Sequence, residues 1–341
     1  MGATDPTNWH HIKESKLFER KISSLGLSIR HPLLASLIER LYQELYDKGL
    51  IFFPPCFLAD EWFSPVGIPA IGIPFYLAHP RLKRLEQKYI LEVEGGNRLE
   101  FMKLARHEAG HAYTYAYDLH RKKEYRRLFG SSSEEYRDTY RPRPYSRAYV
   151  HHLDNWYAQS HPDEDFAETF AVWLTPGSQW KMRYRNWKAL EKLEWIDSTM
   201  RSLRGKRPKK EPRLNPREHN GLNIKLKTYF SRKRKYFEES YPDVYDRELR
   251  ILFTDNPEER SEFKAAPYLR SMHRKIVNSV ARWTKEKKYT IDQLMKDLTD
   301  RCQELNLYLK KNDPASDMNV TSLITSLVMT HLFTGKFKRK K

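Results

Sequence analysis

The stretch ARHEAGHAYTY, residues 105–115, constrains the fold more than any other part of the chain. Around it Phe101, Leu104, Ala105, Ala112, Ala116 and Leu119 recur at helical spacing, so residues 97–120 are expected to form one helix with Asn97 as its N-cap. On such a helix His107 and His111 differ by about 40° around the axis and about 6 Å along it. Two imidazoles so placed can reach one ion at about 2.0–2.1 Å, the zinc–nitrogen bond length. Glu108 follows the first histidine and can reach a water on that ion without binding the ion itself. This is the logic of two histidine ligands and one general base. Two details weigh against a pair of ordinary surface histidines. The His-Glu-His set lies in an apolar stripe, where burial without compensation is costly. Gly110 weakens a helix by about 1 kcal/mol relative to Ala, and a close approach of another backbone or of substrate would explain it.

A catalytic zinc needs a third protein ligand and an open fourth position. The metzincin continuation is excluded, because Thr114 and Tyr117 stand where that class has glycine and histidine. The better candidate lies in WYAQSHPDEDFAETFAVWLTPG, residues 156–177. Pro162 suits a first helical position, Asp163, Glu164 and Asp165 suit the first turn, and Pro176-Gly177 suits the stop. Glu164 and Glu168 then share a face and would repel on an ordinary helix. A cation or a histidine N–H facing them resolves the conflict, so Glu164 is a candidate ligand and Glu168 a candidate for orienting a ligand histidine. His120, His151, His152 and His161 remain ligands in principle, with the adjacent His151-His152 pair read as surface or loop residues. Cys56, in PPCFL, reads as a buried small residue.

HEAGH followed by EDFAE resembles the gluzincin type of zinc metallopeptidase. It is similar to the pattern of the anthrax lethal factor catalytic domain and of a bacterial group of zinc-binding metallopeptidases. The resemblance covers roughly residues 65–200 and is specific over the two motifs. It implies that Glu164, the first glutamate of E-x-x-A-E, is the third zinc ligand. It also implies that Tyr157, seven residues earlier, stabilises the transition state. The bacterial group shares the YAQSHPDEDFAE pattern. Nothing in the resemblance covers residues 221–341.

Elsewhere, residues 31–49 read as an amphipathic helix on Leu34, Leu37, Ile38, Leu41 and Leu45, stopped by Gly49. Residues 51–80 are apolar but cut by prolines, which restricts them to edge strands or loops. A helix is expected from Pro80. The edge at residues 66–78 is the candidate for holding an extended substrate by strand addition. Residues 205–221, polar and broken by prolines, read as a linker. Beyond it several helices are expected. One carries a core stripe of Val320, Leu323, Ile324, Leu327, Val328 and His331, and GKFKRKK follows as a disordered basic tail.

Charge separates the two parts. Residues 205–341 hold 32 Lys+Arg against 18 Asp+Glu, whereas residues 1–204 hold 30 against 26. Two distant cysteines argue against a disulfide framework or a disulfide-linked partner, and they fit a reducing compartment. No apolar run suits a signal peptide or a membrane span, so a cytoplasmic protein is expected.

The expected fold is α+β and helix-rich. A zincin-like catalytic domain with a small edge-exposed sheet spans residues 1–204, and a mostly helical basic domain spans 222–341. The expected function is hydrolysis of a peptide or protein substrate by a zinc-activated water, with one Zn²⁺ per chain and Glu108 as base. The alternative is a protein that binds nucleic acid or an anionic surface and uses the zinc fold as a scaffold. In either case the basic module invites an acidic protein or a nucleic acid as partner.

Overall fold

The computed structural model describes residues 8–137, 139–212, 221–237, 245–311, 317–334 and 337–338. They form a helix-rich α+β structure with small sheets, as the sequence implies. The chain divides into two compact units. One comprises Met1–Glu86, Val93–Tyr229 and Phe337–Lys341; the other comprises Gln87–Glu92 and Phe230–Lys336.

The first unit starts its regular core with α1 (Pro32–Asp47), which buries Leu34, Ile38, Leu41 and Leu45. Gly49 takes φ +76° and ends this helix. The amide of Gly49 donates to Tyr46 O and that of Leu50 to Leu45 O, the paired bonds of a Schellman stop. Strands β1 (Cys56–Ala59) and β2 (Ile71–Pro74) pair in parallel, with Phe57 opposite Gly72. All four β2 residues are buried. The Gly72 amide donates to Phe63 O at 2.8 Å, and the Phe63 amide donates back at 3.5 Å. The chain's own Phe63 therefore covers β2 where residues 66–78 were expected to receive substrate.

Helix α2 (Pro80–Tyr89) follows, then α3 (Arg98–Ala116), which carries the histidines. Asn97 caps α3, its side chain accepting from the Glu100 amide at 3.0 Å. The helix ends four residues before the expected boundary. Asp118 turns the chain at φ 52°, and a short 3₁₀ turn, Leu119–Arg121, follows. The Ala116 carbonyl, freed by this stop, accepts from the amides of Lys209 (2.8 Å) and Lys210 (3.1 Å). A long-range cap of this kind leaves no mark in the local periodicity.

Helix α4 (Lys123–Phe129), strand β3 (Thr139–Tyr140), α5 (Pro162–Leu174) and α6 (Ala189–Ser202) complete the surroundings of the motifs. In the stretch read as a linker, residues 213–220 lie outside the described residues. On either side the chain is bonded to the first unit. The Gly205 amide donates to Gly49 O, and Leu222 O and Ile224 O accept from Ser23 and Ile22. Helix α7 (Leu226–Phe237) crosses from the first unit's residues into the second's.

In the second unit α8 (Asp246–Leu252) leads into β4 (Phe253–Thr254), and β5 (Arg260–Lys264) leads into α9 (Ala265–Thr284). Helix α10 (Lys288–Glu304), β6 (Tyr308–Lys310) and α11 (Asp317–Thr334) follow. The strands form an antiparallel sheet in the order β4-β6-β5. Val320, Ile324 and Val328 of α11 are buried as expected, Leu323 and Leu327 are half-buried, and the His331 side chain lies outside the described residues. The segment expected as a disordered tail contains a strand, β7 (Phe337–Lys338), which pairs antiparallel with β3; backbone pairing fixes it. Residues 335–336 and 339–341 lie outside the described residues. Among the described residues no helix is long and apolar enough to cross a membrane, and both cysteines are free.

Helices α3 and α5 form the centre of the first unit, and Gly110 sets how closely they approach. A Cβ at Gly110 would lie 2.9 Å from the Ala167 Cα and 3.2 Å from its carbonyl oxygen. Those are backbone atoms, so the helices would have to separate. Gly110→Ala is therefore expected to lower unfolding stability by about 1–3 kcal/mol despite its better helix propensity. Chemical denaturation checks this, and a variant as stable as the parent would mean the helices are not held at that spacing.

Candidate metal centre

Helix α5 is positioned at its first turn. Pro162 stands at the first helical position and His161 is the N-cap, its Nδ1 accepting from the Asp163 amide at 3.1 Å. The His161 ring stacks on Tyr136 at 3.5 Å, and its Nε2 lies 3.1 Å from Glu134 O. This histidine is a cap and not a ligand. Asp163 accepts from the hydroxyls of Tyr125 (2.9 Å) and Tyr136 (3.2 Å) and from that of Ser132, which ties residues 125–136 to the start of α5.

From there Glu164 and Glu168 turn toward α3. Glu164 Oε2 lies 3.0 Å from His107 Nε2 and 3.2 Å from His111 Nε2, and the two Nε2 atoms are 3.2 Å apart. All three residues are buried. Ligands at about 2.0–2.1 Å around a tetrahedral ion stand about 3.4 Å apart, so this triangle of donors fits zinc closely. Among the described residues His107, His111 and Glu164 are the group able to hold a metal.

The other side of His107 is braced. Its Nδ1 lies 2.8 Å from Glu168 Oε1, and Glu168 Oε2 accepts from the Leu153 amide at 2.8 Å. A carboxylate on the remaining nitrogen fixes the ring's tautomer and orientation. Electrostatics point the same way. Burial disfavours a charged His107, yet its bonds to Glu164 and Glu168 outweigh burial and raise its pKa to about 10. Burial likewise opposes ionisation of Glu164, but His111 and His107 hold its carboxyl well below the usual range. The site favours positive charge between its carboxylates, which a protonated imidazole or a cation would supply.

Glu108 is buried on α3 directly after His107. Tyr157 is buried too, with its ring 5.8 Å from that of His107. It opens a 3₁₀ turn, Tyr157–Gln159, directly after Asn155 and Trp156, both left-handed at φ 60° and 52°. Tyr149 sits elsewhere: Lys192 Nζ lies 4.3 Å over its ring, and Lys192 pairs with Asp165.

Tyr140 was not singled out by the sequence. Its ring lies 6.3 Å from that of Tyr157, and its hydroxyl donates to Asn155 O at 2.9 Å. Burial, then the charges of Glu168 and Glu164, push its pKa up. As one of 21 tyrosines it carries no local signal. His152, read as a surface residue, is half-buried with Nε2 2.9 Å from Lys103 O, and burial lowers its pKa to about 4. The His151 ring packs on Trp187, and the His120 ring packs on Tyr115. Cys56 is half-buried, not fully buried, with Sγ 3.6 Å from the Tyr42 hydroxyl.

Residues 101–184 match the family model described as "Putative zinc-binding metallo-peptidase". The match covers His107, His111, Tyr157, Glu164 and Glu168. No curated protein and no solved structure matches the chain. The motif-bearing part of the chain is thus similar to a zinc-binding metallopeptidase family.

The geometry separates the two glutamates. Glu164→Ala is expected to remove most bound zinc, whereas Glu168→Ala should weaken zinc by about 10–100-fold. Zinc titration against a competing chelator measures both. An empty site in Glu168→Ala with a filled one in Glu164→Ala would reverse the assignment.

Proposed function

We propose that the chain is a zinc-dependent peptidase, holding one zinc through His107, His111 and Glu164 and hydrolysing peptide or protein substrates. The observation that carries this reading is a single carboxylate oxygen shared by two imidazole Nε2 atoms, with the first ring braced from behind by Glu168. A structural zinc site would be closed by a fourth protein ligand. Here the potential metal-binding group has three members among the described residues, which supports a position open to substrate.

Bound zinc would supply Lewis acidity, polarising the scissile carbonyl and making an attacking water more acidic. The chain's own residues do the rest. Glu108 takes the proton of the attacking water and passes it to the leaving amine. Tyr157 donates a hydrogen bond to the oxygen on which negative charge develops. Glu168 holds the His107 ring so that Nε2 faces the ion and not the solvent. The excess of basic residues in 222–341 supports a separate role for that module in recruiting an acidic partner.

Two substitutions test the roles. Glu108→Gln should retain stoichiometric zinc and lose peptide hydrolysis; a zinc-loaded Glu108→Gln protein with unchanged turnover would remove Glu108 from the mechanism. Tyr157→Phe deletes only the hydroxyl and should lower kcat by about 10²–10³ with zinc content and KM nearly unchanged. If Tyr157→Phe is fully active and Tyr140→Phe is not, the donor is Tyr140.

A further inference from the structure

The expected substrate edge at residues 66–78 is covered by Phe63, but a second edge lies beside the metal centre. Strand β3 carries Tyr140, which is buried and bonded through its hydroxyl to Asn155 O. The Tyr140 ring contacts Tyr157, and the Tyr157 ring contacts His107. A peptide running along the β3 backbone would therefore pass next to the residues assigned to catalysis. An edge strand is a ready template for an extended chain, because its outward N–H and C=O groups recognise any peptide backbone.

That template is in use. Phe337–Lys338 pairs antiparallel with it, Tyr140 opposite Phe337 and Thr139 opposite Lys338. Little else in the first unit is strand, since β1 and β2 make only a four-residue ladder. The pairing joins residues far apart in sequence, so its loop-closure entropy opposes it and the contact must be favourable in its own right. The paired residues belong to KFKRKK, residues 336–341, which carries five Lys or Arg in six positions.

We propose that β3 is the edge on which an extended, basic peptide is held beside the metal centre, and that Phe337–Lys338 occupies it in cis as an autoinhibitory strand. This rests on the metallopeptidase reading for its consequence, but not for the binding itself. A tethered strand competes at an effective concentration in the millimolar range, so a free peptide of modest affinity is largely excluded. Release of the strand, by a partner that takes the basic segment or by a substrate that pairs better, would open the edge.

The test uses the full chain carrying Phe337→Pro and Lys338→Pro together, which removes both strand amides while keeping the rest of the protein. The probe is a fluorescein-labelled peptide, TGKFKRKK, and zinc-loaded proteins are titrated by fluorescence anisotropy. The double variant should bind the probe about tenfold or more tightly than the parent chain, because its edge is free. A probe N-methylated at its Phe and at the Lys that follows should lose that gain, since methylation deletes the ladder donors without changing charge. Equal affinity of the two proteins, or equal binding of the methylated probe, would overturn the proposal; the latter would show attraction by charge alone. Activity is read separately. The double variant should cleave an unrelated peptide with a several-fold higher kcat/KM, mainly through a lower KM. Both proteins being inactive would sink the peptidase reading while the binding result still decided the edge.

Discussion

Two carboxylates one turn apart on one helix, both buried, are the interaction on which the first unit depends. Glu164 and Glu168 lie on the same face of α5, where like charges repel and water cannot screen them. His107 stands between them, one nitrogen toward each. Imidazole can do this because its two nitrogens point apart, and it can donate from one while presenting the other to an ion. His111 adds a second nitrogen to the same Glu164 oxygen. The cluster thus runs from the Glu168 carboxylate through the His107 ring to the Glu164 carboxylate. Removing one member leaves a neighbouring polar group buried with fewer partners, which is costly.

Such a cluster forms only if the helices come close enough for short side chains to meet. Gly110 against the Ala167 backbone supplies that closeness between the two histidines' turns and the two glutamates' turns. Rotation of each helix is fixed from outside by a buried ion pair next to a member of the candidate metal-binding group. Arg106, just before His107, makes a two-pronged bond to Glu44 of α1 at 2.7 and 2.8 Å. Asp165, just after Glu164, pairs with Lys192 of α6. Buried pairs of this kind add little net stability compared with apolar packing, but the bidentate geometry of Arg106 on Glu44 admits few alternatives. Placed immediately beside His107 and Glu164, these pairs bear on orientation, because an error in helix rotation would part the His107 Nε2 from the Glu164 carboxylate.

Local signals carried much of this architecture, and long-range ones did not. Asn97, Pro162 and Gly49 act through the backbone within a few residues, so the starts of α3 and α5 and the stop of α1 are legible. The four-residue spacing of His107 and His111 likewise needs only helix geometry. Gly110 announces a close approach, and the helix that approaches is α5. The end of α3 at Ala116 was misplaced because its carbonyl is capped from Lys209 and Lys210, distant in sequence. Tyr140 and His152 have roles set by partners elsewhere in the chain, and nothing beside them in the sequence distinguishes them. The covering of β2 by Phe63 and of β3 by Phe337–Lys338 are also pairings between separated segments, which alternation within one strand cannot reveal.

The segment from Arg147 to Tyr157 links the brace to the proposed oxyanion donor. Arg147 O accepts from the Ala189 amide, and Ala148 O accepts from Lys192, so one end is fastened to α6. His152 bonds to Lys103 O on α3, one turn before His107, and the next amide, that of Leu153, bonds to Glu168. Two residues later the chain enters the left-handed region at Asn155 and again at Trp156. A bulky residue there is strained by on the order of 1–3 kcal/mol, which persists only when surrounding contacts over-determine the backbone. The contacts just named do that on one side, and the α5 cap at His161 does it on the other. The consequence is a reversal of chain direction that turns Tyr157 back onto His107. A relaxed backbone at Trp156 would send the tyrosine elsewhere while leaving Glu168 bonded to Leu153. The strain therefore bears on the placement of Tyr157 and not on that of Glu168, which separates the positioning of the tyrosine from that of the His107–His111–Glu164 group.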